Sequence, residues 1–170
     1  MMSVEFLESI VYDGLFAAVA ATGFAVISNP PRKAVVVSAF MAAVGHGLRF
    51  YLMKGGTLDI ATSSFIAAFV IGLMSIFFAR LIHCPAEVFS FPSLLPMIPG
   101  MFAYKTILAM MKFLQGRDEM MAMSNLFEIF RNGLTTLLVL FALVVGAAIP
   151  LFIFYKQSFQ MTRLIKKAGL

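Results

Sequence analysis

Residues 60–79 read IATSSFIAAFVIGLMSIFFA, a run with no charged side chain at any position. A helix needs roughly 20 mostly apolar residues to cross the hydrocarbon core of a bilayer, and this run has that length. Similar runs recur on both sides of it. Asn132–Tyr155 is the longest, and Ala34–Leu48 extends past Arg49 to Met53. Gly14–Pro31 joins them if the segment starts near Phe6 and carries Glu8 and Asp13 in its opening turns. Val88–Tyr104 is a further run, punctuated by Pro92, Pro96 and Pro99. Open sheet edges cannot satisfy their backbone in lipid, and the alternation of an outer-membrane barrel is absent. The expected fold class is therefore an all-α membrane protein, a bundle of about five transmembrane helices with the fourth broken by prolines. Its spans fall near 6–28, 34–53, 59–81, 88–114 (interrupted near 96–100) and 129–155 in a single transmembrane domain, followed by a basic tail at 156–170.

Composition points the same way. Of 170 residues, 61% are hydrophobic and 12% charged, against about 25% charged in a soluble domain. The net charge of +5 sits at the ends of the apolar runs, where topology and anionic headgroups account for it, so no nucleic-acid partner is implied. A lone Cys84 excludes an intramolecular disulfide. The first residues, Met1 to Glu8, are acidic where a signal peptide is basic, so the first segment is expected to stay in place.

Linkers are expected at Asn29–Lys33, Lys54–Thr57, Arg80–Glu87 and the polar stretch Gln115–Asn125. With five spans, Arg32, Lys33, Arg80, Lys156, Arg163, Lys166 and Lys167 outnumber Arg49, Lys54, Lys112, Arg117 and Arg131 on the opposite side. The positive-inside rule then places the C-terminus in the cytoplasm and the N-terminus outside. Ala17, Ala21 and Ala25, and Ala39, Ala43 and Gly47, are expected to be seams between helices.

Ionisable groups inside a span are costly and mark functional candidates. Three places qualify. In Gly45-His46-Gly47-Leu48-Arg49, glycines around a histidine open the backbone to close approach. His46 can carry a proton near neutral pH and Arg49 can pair with a carboxylate; the plainer alternative is that Arg49 snorkels while His46 bonds a neighbouring helix. In Pro96-Met97-Ile98-Pro99-Gly100 the prolines remove backbone donors. A helix broken there could receive an anion at its N-terminal half, as discontinuous transporter helices do; the alternatives are a structural kink or a re-entrant segment. Glu128, Arg131 and Asn132 share a face before the last span, and an interfacial ion pair accounts for the first two. Asp59 reads as the cap of the third helix. Hydrolase, zinc-protease and phosphate-loop motifs are absent, so no enzyme chemistry is indicated. His46 and His83 fall at opposite ends of different helices, and neither a metal nor a cofactor is expected.

Taken in order, Gly23-Phe24-Ala25 leading to Asn29-x-Pro31, Gly45-His46-Gly47-x-Arg49, and Pro96-Met97-x-Pro99-Gly100 with Tyr104 resemble the threonine/serine exporter family. The likeness, over roughly residues 5–155, is to its short, separately encoded C-terminal half, the YjjB type. The resemblance implies export of small hydrophilic metabolites across the bacterial inner membrane: threonine and serine, or dicarboxylates such as succinate. It also implies a larger YjjP-type membrane subunit as partner, with a homo-oligomer as the alternative. Carried onto this chain, the substrate-site residues are His46, Arg49, Pro96, Pro99, Gly100 and Tyr104, and the proton-coupling candidates are His46 and Glu128. Two competing readings are an assembly subunit that only stabilises another membrane protein, and a homo-oligomeric channel.

Overall fold

A computed structural model of the chain describes residues 4–116 and 118–154, and every regular element among them is helical. Helix α1 is Val4–Ile27, α2 Arg32–Lys54, α3 Ile60–Ile82, α4 Glu87–Leu94, α5 Gly100–Gln115 and α6 Glu119–Ile153; a 3₁₀ turn, Leu95–Met97, follows α4. Four of these helices are long and apolar enough to cross a membrane, and a fifth span results if α4, its 3₁₀ turn and α5 are one interrupted segment. The protein is a multi-pass membrane bundle.

The helix ends follow from local chemistry. Asn29, at φ 48°, takes a left-handed conformation that closes α1 ahead of Pro30 and Pro31, which cannot continue a helix. His83 does the same at the end of α3, with φ 61°. At the start of α3 the Asp59 carboxylate accepts from the N–H groups of Ala61 and Thr62 at 2.9 and 3.0 Å and from the Thr62 hydroxyl at 2.5 Å. The Thr62 hydroxyl first, then these N–H groups, hold the Asp59 carboxyl below its ordinary range. A depressed carboxyl stabilises the fold above its unfolded-state pKa and loses that contribution as pH falls through the folded value. Asp59→Ala is expected to cost about 1 kcal/mol at neutral pH. A lower melting temperature in detergent measures it, with the gap to wild type closing in acid.

Helix α6 departs from the hydropathy reading. It begins at Glu119 rather than near residue 129, inside the polar stretch expected to be a linker. Asp118 caps it, accepting the Met120 N–H at 3.1 Å on its side chain and the Ala122 N–H at 2.9 Å on its carbonyl. Glu, Met, Ala and Leu dominate the first turns and favour helix whatever their polarity. Hydropathy marks where a helix meets lipid, not where it starts. Its 35 residues amount to ~52 Å of helical rise, some ~20 Å more than the hydrocarbon core requires. The apolar run from Gly133 onward suffices to span, which leaves the turns carrying Glu119, Glu128 and Arg131 at or beyond the interface. The basic tail at 156–170 and Tyr155 lie outside the described residues.

The described residues divide into two compact units, one of residues 4–97 with 142–154 and one of residues 98–116 with 118–141. In the first, α1 and α2 pack on small residues: Ala17, Ala21 and Ala25 are buried, and a Cβ on Gly14 would stand 3.0 Å from the Ala43 carbonyl. Gly47 lies against Ile10 of α1. Ala42 of α2 packs with Ala17 and Ala21, and another face of α2, bearing Ala34, Ser38, Met41 and Gly45, is buried as well. Gly72 of α3 and Gly146 of α6 form a second close crossing in this unit. The second unit is a helical hairpin in which Gly133 of α6 approaches Thr106 of α5. Its Met101, Ile107, Leu114, Phe127, Phe130 and Leu134 are exposed, an outer surface suited to lipid or to another membrane chain.

Candidate functional site

The backbone of the fourth segment breaks at Ile98-Pro99-Gly100. Pro99 sits at φ −79°, ψ 61°, and the Gly100 N–H donates to the Ile98 carbonyl at 2.8 Å. Those values and that i to i+2 bond define an inverse γ-turn. In an uninterrupted helix the Gly100 and Met101 N–H groups would satisfy the carbonyls of Pro96 and Met97. The turn diverts the first of these donors, and no backbone bond from Met101 to Met97 replaces the second among the described residues, so both carbonyls take partners from elsewhere.

Helix α2 supplies them. His46 Nε2 lies 3.2 Å from the Pro96 carbonyl oxygen, and Arg49 Nη1 donates to the Met97 carbonyl at 2.9 Å. On its other side the imidazole meets Asp13 of α1, with Nδ1 2.6 Å from Oδ2. The His46 side chain is 14% exposed and that of Asp13 31%. Among the described residues this is the only ion pair. Arg49 lies within electrostatic reach of the Asp13 carboxylate. The flanking glycines make room: a Cβ on Gly45 would collide with Ile71 of α3 and the Met97 side chain, both fully buried. Two features separate in sequence, the Gly45–Arg49 motif and the broken segment, thus form one polar network.

His46, Arg49 and Pro96 are brought together in this network, Pro96 through its carbonyl. Pro99 and Gly100 form the turn itself. Of the first four N–H groups of α5, those of Gly100, Phe102 and Ala103 already bond the Ile98 and Pro99 carbonyls, which leaves this helix end little capacity for an anion. Asp13 is the member that sequence reading passed over as a tolerated acid in an opening turn. Its signal was position: a carboxylate that far into an apolar helix is expensive without a partner.

Tyr104 is exposed and belongs to the hairpin, as does Glu128. The expected Glu128–Arg131 ion pair does not form; neither residue has a salt bridge among the described residues. Both side chains instead line an open cavity of about 900 Å³ between α5 and α6, with Lys105 of α5 and Ser124 and Asn132 of α6. Their i, i+3 spacing puts them on one face, but the face is wide and solvated, and side-chain entropy outweighs a weak exposed pair. The cavity therefore presents two cations and one carboxylate that do not neutralise one another by contact. Tyr104 does not line it.

Comparison with known proteins places these features in a family. A family model described as "Threonine/Serine exporter, ThrE" matches residues 13–153. An uncharacterized protein of Haemophilus influenzae is 33% identical over 154 residues, covering 90% of this chain and 50% of that protein. The chain spans about half the length of this curated relative. No solved structure matches the chain.

Proposed function

The chain belongs to the threonine/serine exporter family, and from that premise we propose that it is a membrane subunit of a secondary exporter for small polar metabolites, working with a second membrane half. One observation carries the reading: a span interrupted by a proline turn whose freed carbonyls are held by two ionisable side chains of α2, one of them paired with Asp13 of α1. Interrupted helices of this kind form substrate and ion sites in secondary transporters, and a five-span half paired with another gives the inverted repeat that alternating access uses. The half-length match to the relative fits a second half supplied by a separate subunit, a longer chain or a second copy. Location in the bacterial inner membrane with the C-terminus in the cytoplasm accords with the same reading and with the distribution of basic residues. The test is retention of labelled threonine, serine and succinate in cells lacking the chain, restored with and without the second subunit. Faster efflux on restoration supports export. Equal efflux in all strains leaves the chain as an assembly subunit.

The cavity of the hairpin supplies the substrate preference in this proposal. Lys105 and Arg131 suit a carboxylate, and Glu128 suits an ammonium group. Glu128→Gln is expected to slow threonine and serine export about tenfold, since a hydrogen bond to a charged group contributes about 1.5–3 kcal/mol. Succinate export is expected to hold or rise, because a second carboxylate no longer meets a fixed negative charge. Competition between labelled threonine and succinate in the same cells reads the ratio directly.

A further inference from the structure

We propose that Asp13 and His46 together are the site of the coupling proton, one proton shared between them tying α1 and α2 to the broken span. The proposal rests on the exporter reading for its role in transport, and on hydrogen-bond chemistry for its location. A carbonyl oxygen only accepts, so the contact with Pro96 requires a hydrogen on His46 Nε2. With Nε2 protonated, the 2.6 Å approach of Nδ1 to Asp13 Oδ2 needs a second hydrogen. It resides on Nδ1, giving an imidazolium beside a carboxylate, or on Oδ2, giving a neutral imidazole beside a carboxylic acid. Either way the pair holds one proton beyond the single N–H of a neutral histidine.

Loss of that proton forces a choice. Neutral His46 has one N–H and faces two acceptors, the Asp13 carboxylate and the Pro96 carbonyl. Keeping the bond to Pro96 sets a nitrogen lone pair against a carboxylate oxygen. Moving the hydrogen to Nδ1 abandons the Pro96 carbonyl. The proton released to water therefore undoes one of the two contacts that join three elements. The neighbouring groups then set how the network rearranges. Arg49, one turn along α2, is the other charged group facing the pair, and it reaches the Asp13 carboxylate electrostatically while donating to Met97. The Leu95–Met97 turn contributes carbonyls and no titratable side chain, and α3 brings Ile71 beside Gly45 with no ionisable residue before Arg80. Deprotonation leaves Arg49 as the cation available to Asp13, and its move there releases the Met97 carbonyl too. Proton occupancy is thereby linked to whether the break is held at both carbonyls or free to rearrange, the two-state element that coupling requires.

The test uses the full chain with its second subunit. In cells or proteoliposomes, export of labelled threonine is followed while pH is stepped between about 5 and 8, the range in which imidazole chemistry in general responds to pH. Wild type is expected to follow pH. Asp13→Asn and His46→Gln, each checked for yield and melting temperature, are expected to export about tenfold more slowly or less, with a flat pH profile. A preserved pH profile in either folded variant overturns the assignment. NMR of the purified complex, with histidine labelled in this chain alone, provides a readout independent of transport, since the chain has two histidines and His83 serves as the reference. His46 is expected to show a protonated Nε2 whose signal shifts in Asp13→Asn while that of His83 stays in place. A bare Nε2, or a His46 signal indifferent to Asp13→Asn, overturns the shared proton. Absent efflux in wild type together with the expected NMR pattern would instead count against the exporter reading and leave the proton site standing.

Discussion

Gly146→Leu is expected to leave little folded protein. A Cβ at this position would stand 2.6 Å from the Phe65 carbonyl oxygen and 3.0 Å from the Ala68 methyl group, both on α3. The neighbour it meets first is backbone, which cannot rotate aside as a side-chain tip can. The reciprocal position is as tight: a Cβ on Gly72 would lie 2.9 Å from the Ala147 carbonyl and 3.1 Å from the Pro150 ring. The two glycines therefore mark one close crossing between α3 and the C-terminal part of α6. Helices in lipid gain no hydrophobic driving force from one another and depend on such approach for packing and weak polar contacts. Overpacking of this kind costs about 1–3 kcal/mol, and a leucine against backbone belongs at the upper end or beyond. The measure is the monodisperse fraction after detergent extraction, together with its melting temperature. Gly23→Leu is the control, since nothing lies within 4 Å of a Cβ built there, and its yield is expected to match wild type.

Periodicity and hydropathy made most of the bundle legible, because apolar length is what a bilayer selects. They located the break as well, since two prolines and a glycine cannot pass unnoticed within an apolar run. The start of α6 was not legible in this way. Glu119 to Asn125 follows the polar Gln115–Asp118 and reads with it as linker, yet it is helical by propensity and capped by Asp118, and a scale that measures transfer to lipid is blind to both. The site was half legible. His46 and Arg49 announced themselves by charge within a span, but the groups they hold did not. Their acceptors are backbone carbonyls some fifty positions away, and every residue has a carbonyl, so no side-chain pattern encodes that contact. Glu128 and Arg131 show the opposite error. Helical spacing makes a pair available, and exposure decides whether it forms.

The second large effect concerns the break itself. Replacing Pro96 and Pro99 together by alanine is expected to abolish most export while the protein remains folded. Each proline removes a donor and sets its ring against the carbonyl four residues back, a cost of about 3 kcal/mol or more inside a helix. Pro99 also biases Ile98 away from helical geometry. With alanines the chain can pass from α4 into α5 as regular helix. The Gly100 N–H then turns from the Ile98 carbonyl to that of residue 96, and the Met101 N–H reaches the carbonyl of Met97. These are the two acceptors that His46 and Arg49 now occupy. Backbone donors fixed in a helix compete well against side chains that lose rotamer freedom on binding. The variant is thus expected to melt no lower than wild type, because every hydrogen bond it loses between elements is replaced within one helix. On the proposed coupling, export should nevertheless fall at least tenfold, since His46 would no longer be tied to a movable segment. A variant that melts normally and still exports at wild-type rate would show that the break is only a kink. Loss of both folding and export would show that the side-chain contacts at Pro96 and Met97 hold the bundle together rather than operate it.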